Sequence, residues 1–474
     1  MKKIVKPKEL PVHGRVHNFD EVVTGYTEEE MLEEALRCIQ CKNPTCISGC
    51  PVGIDIKKFI YQLTQKDYLG AYKTIYEKNR FPLICGRVCP AEYQCRKTCV
   101  FTPKKLPFAS ENAINIPLLE RFAGDYAKEH ISNKQILNYV QHQKRNAYKV
   151  ACIGSGPASL TVAGELSRYG IKVDIYEGLH SLGGVLSYGI PTFRLPREVL
   201  YYEINLLKNY GVEFYTGVIV GRSISFQELR KKYNFVFIGT GAGAPVWLNI
   251  KGENLINIYS ANEYLTRVNL MRADKFPEYH TPVNTASNIV VIGGGNTAMD
   301  AARVALRIQK INKINGTVTV LYRRTEEEMP ARRVEIEHAK EEGVEFNFLV
   351  QPVEFIGNDT GKVKAIKCLK CTLGEPDETG RRKPVPVSGT EFLVPTDLVI
   401  VAIGLKANQT LTDTVKELKV NRWGDVEVNP DTMETSIENV YAGGDIVGGE
   451  GTIIEAMGMG KKAAESILRK LAII

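Results

Sequence analysis

The chain has 474 residues, of which 44% are hydrophobic and 24% charged, and its formal net charge is +7. That length supports two to four domains with buried cores, and the absence of dense Lys/Arg clusters interleaved with aromatics argues against a nucleic-acid partner. Lys2 and Lys3 are not followed by an apolar run and no stretch is long enough to span a membrane, so no membrane association is expected and the expected location is cytoplasmic.

Residues 1–25 read as an extended lead-in. Thr27 to Glu30 forms a capping box ahead of a helical face made by Met31, Leu32, Ala35, Leu36 and Ile39. Eight of the eleven cysteines then fall between Cys38 and Cys99. They run Cys38-x2-Cys41-x4-Cys46-x3-Cys50-Pro51, and later Cys85-x3-Cys89-x5-Cys95-x3-Cys99 with Pro90 after Cys89. In a reducing compartment such a block reads as metal or cluster ligation. The close spacing and the two Cys-Pro units favour iron–sulfur clusters, with four-thiolate zinc as the competitor and disulfides third. Between the two runs, Ile56–Lys78 reads as a helix whose stripe of Phe59, Ile60, Leu63, Tyr68, Tyr72, Ile75 and Tyr76 belongs to a core. A second helix starts within Ala113–Phe122 and packs back on the cysteine region. The polar stretch from Ser132 to Ala147 reads as a linker.

Lys149–Glu177 opens as an apolar strand, turns at Gly154-Ser155-Gly156, continues as a helix from Pro157 and Ala158, and returns as a strand ending at Glu177. A Gly-x-Gly turn exposes the helix N-terminus to a pyrophosphate, and the terminal acid is placed to accept hydrogen bonds from a ribose. The third small position is Ser159 rather than Gly or Ala. Further on, Leu182–Pro196 supplies Gly184 for close approach to a flat ligand and Arg194 for a phosphate. Phe235–Gly243 is a buried strand with a glycine turn at Gly241, at the sheet edge where open α/β folds bind ligands.

The pattern then repeats. Asn288–Ile292 is a strand followed by Gly293, Gly295, Asn296, Thr297 and Ala298 and a helix, which argues for two dinucleotides. The next strand, Thr317–Tyr322, ends in Arg323-Arg324 where an NAD-selective site carries an acid, so the expected second ligand is NADP(H). Cys368-x2-Cys371 lies in an alternating strand, Val363–Leu373, and lacks the helix N-terminus that activates a redox CxxC, so it reads as structural. Leu398–Gly404 is another buried strand. Near the C-terminus, Asn439–Asp445 places Gly443 and Asp445 after a strand. The glycine loop 448–452 then leads through Thr452 into a helix, Ile453 to Leu471. The carboxylate suits ribityl or ribose hydroxyls and the helix end suits a reduced flavin, so two distant segments close one FAD site. The expected fold is α/β: a helical iron–sulfur domain at 1–145, an FAD domain from 146–285 and 400–474, and an NADP(H) domain at 286–399. Both nucleotide domains are Rossmann-like, of the disulfide-oxidoreductase type.

Taken together, Cys38–Pro51, residues 85–95, 154–159, 183–196, 293–300, 322–325 and 442–456 resemble the glutamate synthase small-subunit family. Its relatives include the iron–sulfur/FAD half of dihydropyrimidine dehydrogenase. They also include the large subunit of NADH-dependent reduced ferredoxin:NADP oxidoreductase, also called sulfide dehydrogenase alpha, which the chain resembles slightly more. The resemblance implies two [4Fe-4S] clusters with crossed ligation: Cys38, Cys41, Cys46 and Cys99 on one, and Cys50, Cys89, Cys95 and Glu120 on the other. Cys85 is then left over, although spacing alone selects Cys85 over Glu120. It also implies hydride exchange between NADPH and FAD followed by one-electron transfer, with chemistry borne by the cofactors and no catalytic side chain. The implied partners are a smaller flavin/iron–sulfur subunit and ferredoxin, in an electron-bifurcating enzyme, or alternatively the glutamate synthase large subunit with its amidotransferase. A scaffold without electron transfer is the third reading, and the intact glycines, Glu177, Asp445 and cysteines oppose it.

Overall fold

The computed structural model describes residues 3–132, 135–136, 146–378, 380–448 and 451–474. Most of the expected linker at 132–147 lies outside these residues, as do Gly449 and Glu450 of the C-terminal glycine loop. Among the described residues, no helix is long and apolar enough to cross a membrane.

The lead-in is not simply extended. Lys8–Glu9 pairs antiparallel with Val23–Gly25, and a turn of helix at Val12–Arg15 joins them. Helix α1 (Glu28–Leu36) begins with the predicted Thr27/Glu30 capping box. The single helix expected over 56–78 is two, α2 (Ile56–Thr64) and α3 (Tyr68–Tyr76). Lys66 adopts a left-handed φ of 57° and the Asp67 carboxylate accepts the Gly70 N–H, so a local cap interrupts an otherwise continuous apolar stripe. All seven stripe residues are buried. Helix α4 (Pro82–Val88) carries Cys85, and α5 (Ile116–His130) carries Glu120.

The first parallel sheet contains β1 (Lys149–Ile153), β2 (Lys172–Glu177), β3 (Glu213–Thr216), β4 (Phe235–Ile238) and the C-terminal strand Val440–Ala442. Its order is Val440–Ala442, β4, β1, β2, β3. Helix α6 (Pro157–Ser167) crosses from β1 to β2, and α7 (Arg197–Asn209) precedes β3. The second sheet contains β5 (Ile258–Ser260), β6 (Asn288–Ile292), β7 (Thr317–Tyr322), β8 (Glu345–Phe348) and β9 (Leu398–Val401), in the order β8, β7, β6, β9, β5. Helix α8 (Asn296–Ile311) follows β6, and α9 (Arg333–Glu342) precedes β8. Four strands correspond between the sheets, β4, β1, β2 and β3 with β9, β6, β7 and β8, while the outer strand comes last in the chain in the first sheet and first in the second. Their central strands are continuous runs of apolar residues because helices or further strands cover both faces.

The second sheet takes in a strand from before the expected boundary at 285. Strand β5 already pairs with β9 in the second sheet, and the chain passes between sheets along Ala242–Pro245 and back along Leu405–Ala407, two segments paired antiparallel. A three-residue edge strand leaves too little periodicity to read from sequence. Strands Val350–Gly357, Val363–Pro376, Arg382–Pro386 and Phe392–Pro395 form an antiparallel sheet that packs on the second parallel one. Helix α10 (Ile453–Lys470) packs along α6 and shares one core with α2–α5 and β1, so the cysteine segments and the first sheet are buried against each other.

Candidate active site and cysteine cages

A cleft of about 880 Å³ opens where the carboxyl ends of both sheets converge. Gly156, Pro157, Ala158, Gly184, Gly241, Gly443, Asp445 and Thr452 line it from the first unit. Gly293, Gly295, Asn296, Thr297, Arg323 and Arg324 line it from the second. Residues expected at two separate nucleotide sites therefore face one continuous space.

Gly156 caps α6 and Gly295 caps α8 in the same extended conformation, and neither helix has a side chain capping its first turn. The amide groups there are left for a ligand, which is the fit a pyrophosphate requires. Gly184 sits at φ 54°, and an added Cβ would lie 3.0 Å from the Gly156 Cα, so this approach needs glycine. Thr452 caps α10 reciprocally with Glu455, so its hydroxyl is engaged within the helix. The Asp445 carboxylate accepts the Gly451 N–H at 3.2 Å. The Asn296 side chain accepts the Arg332 N–H at 2.9 Å, which steers α9 toward the cleft.

Two expected site residues have protein partners instead. Glu177 is buried and absent from the cleft lining; its carboxylate accepts the Ser155 N–H and hydroxyl and the Leu179 N–H, bracing the glycine turn from behind. Arg194 reaches the cleft but pairs with Asp300 at 2.7 Å and Glu335 at 2.8 Å. These two carboxylates match its charge. The salt bridges continue through Arg303 to Glu342, and Arg307 and Arg15 also bind Glu342. This buried chain of charge links the loop that carries Arg194, α8, α9 and the N-terminal lead-in. Burial pushes the Asp300 carboxyl up to about 6 even against Arg194.

Sequence reasoning missed several residues that line the cleft. Asp300, the last residue of the 293–300 segment, lines the cleft. Tyr188 also faces the cleft, and burial, then Asp445 and Glu177, push its hydroxyl up to about 12. Val88 and Pro90, which flank Cys89, form part of the wall and bring a cysteine segment to the cleft.

Cys38, Cys41, Cys46 and Cys99 line one small cavity. Burial, then Cys99, Cys38 and Cys41, push the Cys46 thiol up to about 12. Such crowding disfavours free thiolates and is relieved by a bound cationic centre. Cys50, Cys85, Cys89 and Cys95 form a second group, buried to different degrees, and the Glu120 charge bears on all four. Burial raises the Glu120 carboxyl to about 8, and its Oε1 accepts the Asn79 side-chain N–H at 2.7 Å. Cys85 and Glu120 thus belong to the same cage. Among the described residues, no three cysteine sulfurs lie within 4.8 Å of one another. A four-thiolate zinc ion, with Zn–S of about 2.3 Å, gathers sulfurs more tightly, so the cages suit a larger cluster. Cys368 and Cys371 lie on the strand Val363–Pro376, both buried, as the structural reading of that CxxC expects.

Residues 15–132 match the family described as dihydropyrimidine dehydrogenase domain II, 4Fe-4S cluster, and residues 148–460 match pyridine nucleotide-disulphide oxidoreductase. The glutamate synthase [NADPH] small chain of Escherichia coli (strain K12) is 32% identical over 99% of this chain and 97% of its own. The chain belongs to the glutamate synthase small-chain family. It is a flavin and iron–sulfur NAD(P)H oxidoreductase with its cluster held through cysteines. Another relative of this glutamate synthase-like chain, the NADPH-Fe(3+) oxidoreductase subunit beta of Geobacter sulfurreducens, is 32% identical over 98% of this chain and 69% of its own. Both relatives are named as subunits of larger enzymes. Among solved structures, Mycobacterium tuberculosis FprA in complex with NADPH shares the fold, with a TM-score of 0.58 and 20% identity over 69% of this chain and 85% of that one.

Proposed function

We propose that this chain exchanges a hydride between NADPH and FAD and passes single electrons through two [4Fe-4S] clusters to a partner protein. The observation that carries this reading is the single cleft, lined by both glycine turns and by Val88 and Pro90 beside Cys89. When bound, the flavin supplies the conversion between an electron pair and single electrons. The protein's residues supply position: α6 and α8 each offer a helix N-terminus to a pyrophosphate, and Gly184 lets a planar ring approach the first turn. Arg323, at the end of β7, supplies charge for a 2′-phosphate, which is why NADP(H) is preferred to NAD(H). Cys38, Cys41, Cys46 and Cys99 hold one cluster. Cys50, Cys89, Cys95 and Glu120 hold the other.

The partner we propose is a smaller flavin/iron–sulfur subunit with ferredoxin as a further carrier, which makes this chain the large subunit of a bifurcating ferredoxin:NADP oxidoreductase. Delivery to a glutamate synthase amidotransferase subunit is the second reading, favoured by the match to nearly the whole E. coli small chain. Anaerobic co-purification of the native protein, with mass identification of what accompanies it, tests both. A small flavoprotein, with NADPH oxidation requiring both NAD and ferredoxin, supports the first. A large amidotransferase, with glutamate formed from glutamine and 2-oxoglutarate, supports the second. Failure of NADPH to bleach the flavin overturns the shared core of both.

A further inference from the structure

The arginine pair at the end of β7 divides in the structure. Arg323 is exposed at the cleft. Arg324 is buried, donating from Nε to the Arg382 carbonyl at 2.7 Å and from Nη2 to the Asp377 carboxylate at 2.8 Å. Both partners belong to the hairpin formed by Val363–Pro376 and Arg382–Pro386, in the antiparallel sheet. Its turn is closed by the Asp377 N–H donating to the Arg381 carbonyl at 2.7 Å and the Gly380 N–H donating to the Asp377 carbonyl at 2.8 Å. On the far side, the Arg382 Nε donates to Glu328 at 2.6 Å, and Glu328 is itself fixed by the Thr325 hydroxyl and N–H. Two ion pairs therefore clamp the hairpin turn to the end of β7. Arg381 stands between them and lines the cleft together with Arg323.

We propose that Arg381 is a specificity-determining residue for the adenosine 2′-phosphate, acting with Arg323, and that Arg324 is a positioning residue that holds the hairpin turn in place. The inference rests on the NADP(H) reading above and deepens it. Arg324 is engaged by the Arg382 carbonyl and Asp377, so a second guanidinium fork carried by a different element, that of Arg381, suits a tetrahedral phosphate monoester dianion alongside Arg323. Although Arg323 is exposed, partial desolvation against the cleft wall, then the charges of Arg324 and Arg381 working against Tyr322 and Cys371, hold its guanidinium below the ordinary pKa. Like charges crowded this way cost free energy that a dianion offsets.

The test uses the anaerobically purified holoprotein and its R323A, R324A, R381A and R381K variants, titrated calorimetrically with 2′,5′-ADP and with 5′-AMP. R381A and R323A are each expected to weaken 2′,5′-ADP binding about tenfold or more while leaving 5′-AMP unchanged. R381K is expected to recover part of the loss, because it keeps the charge but not the fork. R324A is expected to weaken 2′,5′-ADP and to speed amide exchange across the hairpin turn, a readout that a direct phosphate ligand would not move. R381A binding 2′,5′-ADP as the wild type does overturns the inference and leaves the NADP(H) reading standing. Wild-type protein that binds 2′,5′-ADP no more tightly than 5′-AMP overturns that reading, and the inference with it.

Discussion

Gly154 and Gly156 sit two residues apart in the first turn, yet their substitutions have different consequences. A Cβ at Gly154 would lie 2.5 Å from the Gly239 carbonyl oxygen, at a φ of 91°; at Gly156 the nearest atom is 3.9 Å away and the space beyond is the cleft. Gly154→Ala is therefore expected to destabilise the fold by about 1–3 kcal/mol, seen as a lower melting temperature. Gly156→Ala is expected to keep the melting temperature and lose visible flavin absorbance, because the methyl occupies ligand space. At the second cage, Glu120→Ala is expected to abolish one of two cluster signals in paramagnetic resonance, while Cys85→Ser leaves both. The glycine spacing was fully legible in the sequence. The partners of Glu177 and Arg194 were not, because Ser155, Asp300 and Glu335 reach them only through the fold, and a fingerprint records residue types without recording what already satisfies them.

At the scale of an element, α10 connects the cleft to the cysteines. Thr452 at its start lines the cleft, and one turn later the Met457 sulfur lies 3.6 Å from the Cys85 sulfur. Gly458 abuts Pro51, where a Cβ would meet the carbonyl oxygen at 3.0 Å, and the Lys461 Nζ donates to the Val52 carbonyl at 2.6 Å. Gly458→Val is expected to push α10 off the Cys50–Pro51 segment. In stopped-flow measurements, reduction of the flavin by NADPH should keep its rate while the following cluster reduction slows; equal rates for both steps in variant and wild type would remove α10 as the link. The helix from Ile453 was legible in the sequence after its glycine loop. What it packs against was not visible there, since Pro51 and Cys85 come from more than three hundred residues upstream. The break at Lys66 was hidden for the opposite reason: a single cap residue interrupted a periodicity that read as unbroken.

Across the whole molecule, the buried charges from Arg15 to Asp300 set how stability depends on pH. Burial pushes the Glu342 and Glu335 carboxyls up, but Arg303, Arg307 and Arg194 outweigh it and hold both below the usual carboxylate range. Groups with folded values below their unfolded ones stabilise the fold above about pH 4.5, and that stability is lost as pH falls through the folded values. Asp300, raised to about 6, has the opposite sign: its contribution is present below about pH 4 and fades as pH rises through 6. Glu342→Gln is expected to cost about 3–5 kcal/mol near neutral pH, because it strips a partner from buried arginines. Thermal unfolding followed by circular dichroism should then show a shallower loss between pH 4.5 and 3 than in the wild type. None of these pairings follows from spacing, since Arg15, Arg194 and Glu342 belong to three separate stretches of chain.

The antiparallel pairing of Ala242–Pro245 with Leu405–Ala407 places the outgoing and returning chain side by side. The second parallel sheet and the antiparallel sheet packed on it are thus an insert whose two ends meet, spliced into the unit that carries the first glycine turn. Exchanging the gene segment between those points for one of different coenzyme preference would change the reductant while leaving every cysteine from Cys38 to Cys99 untouched.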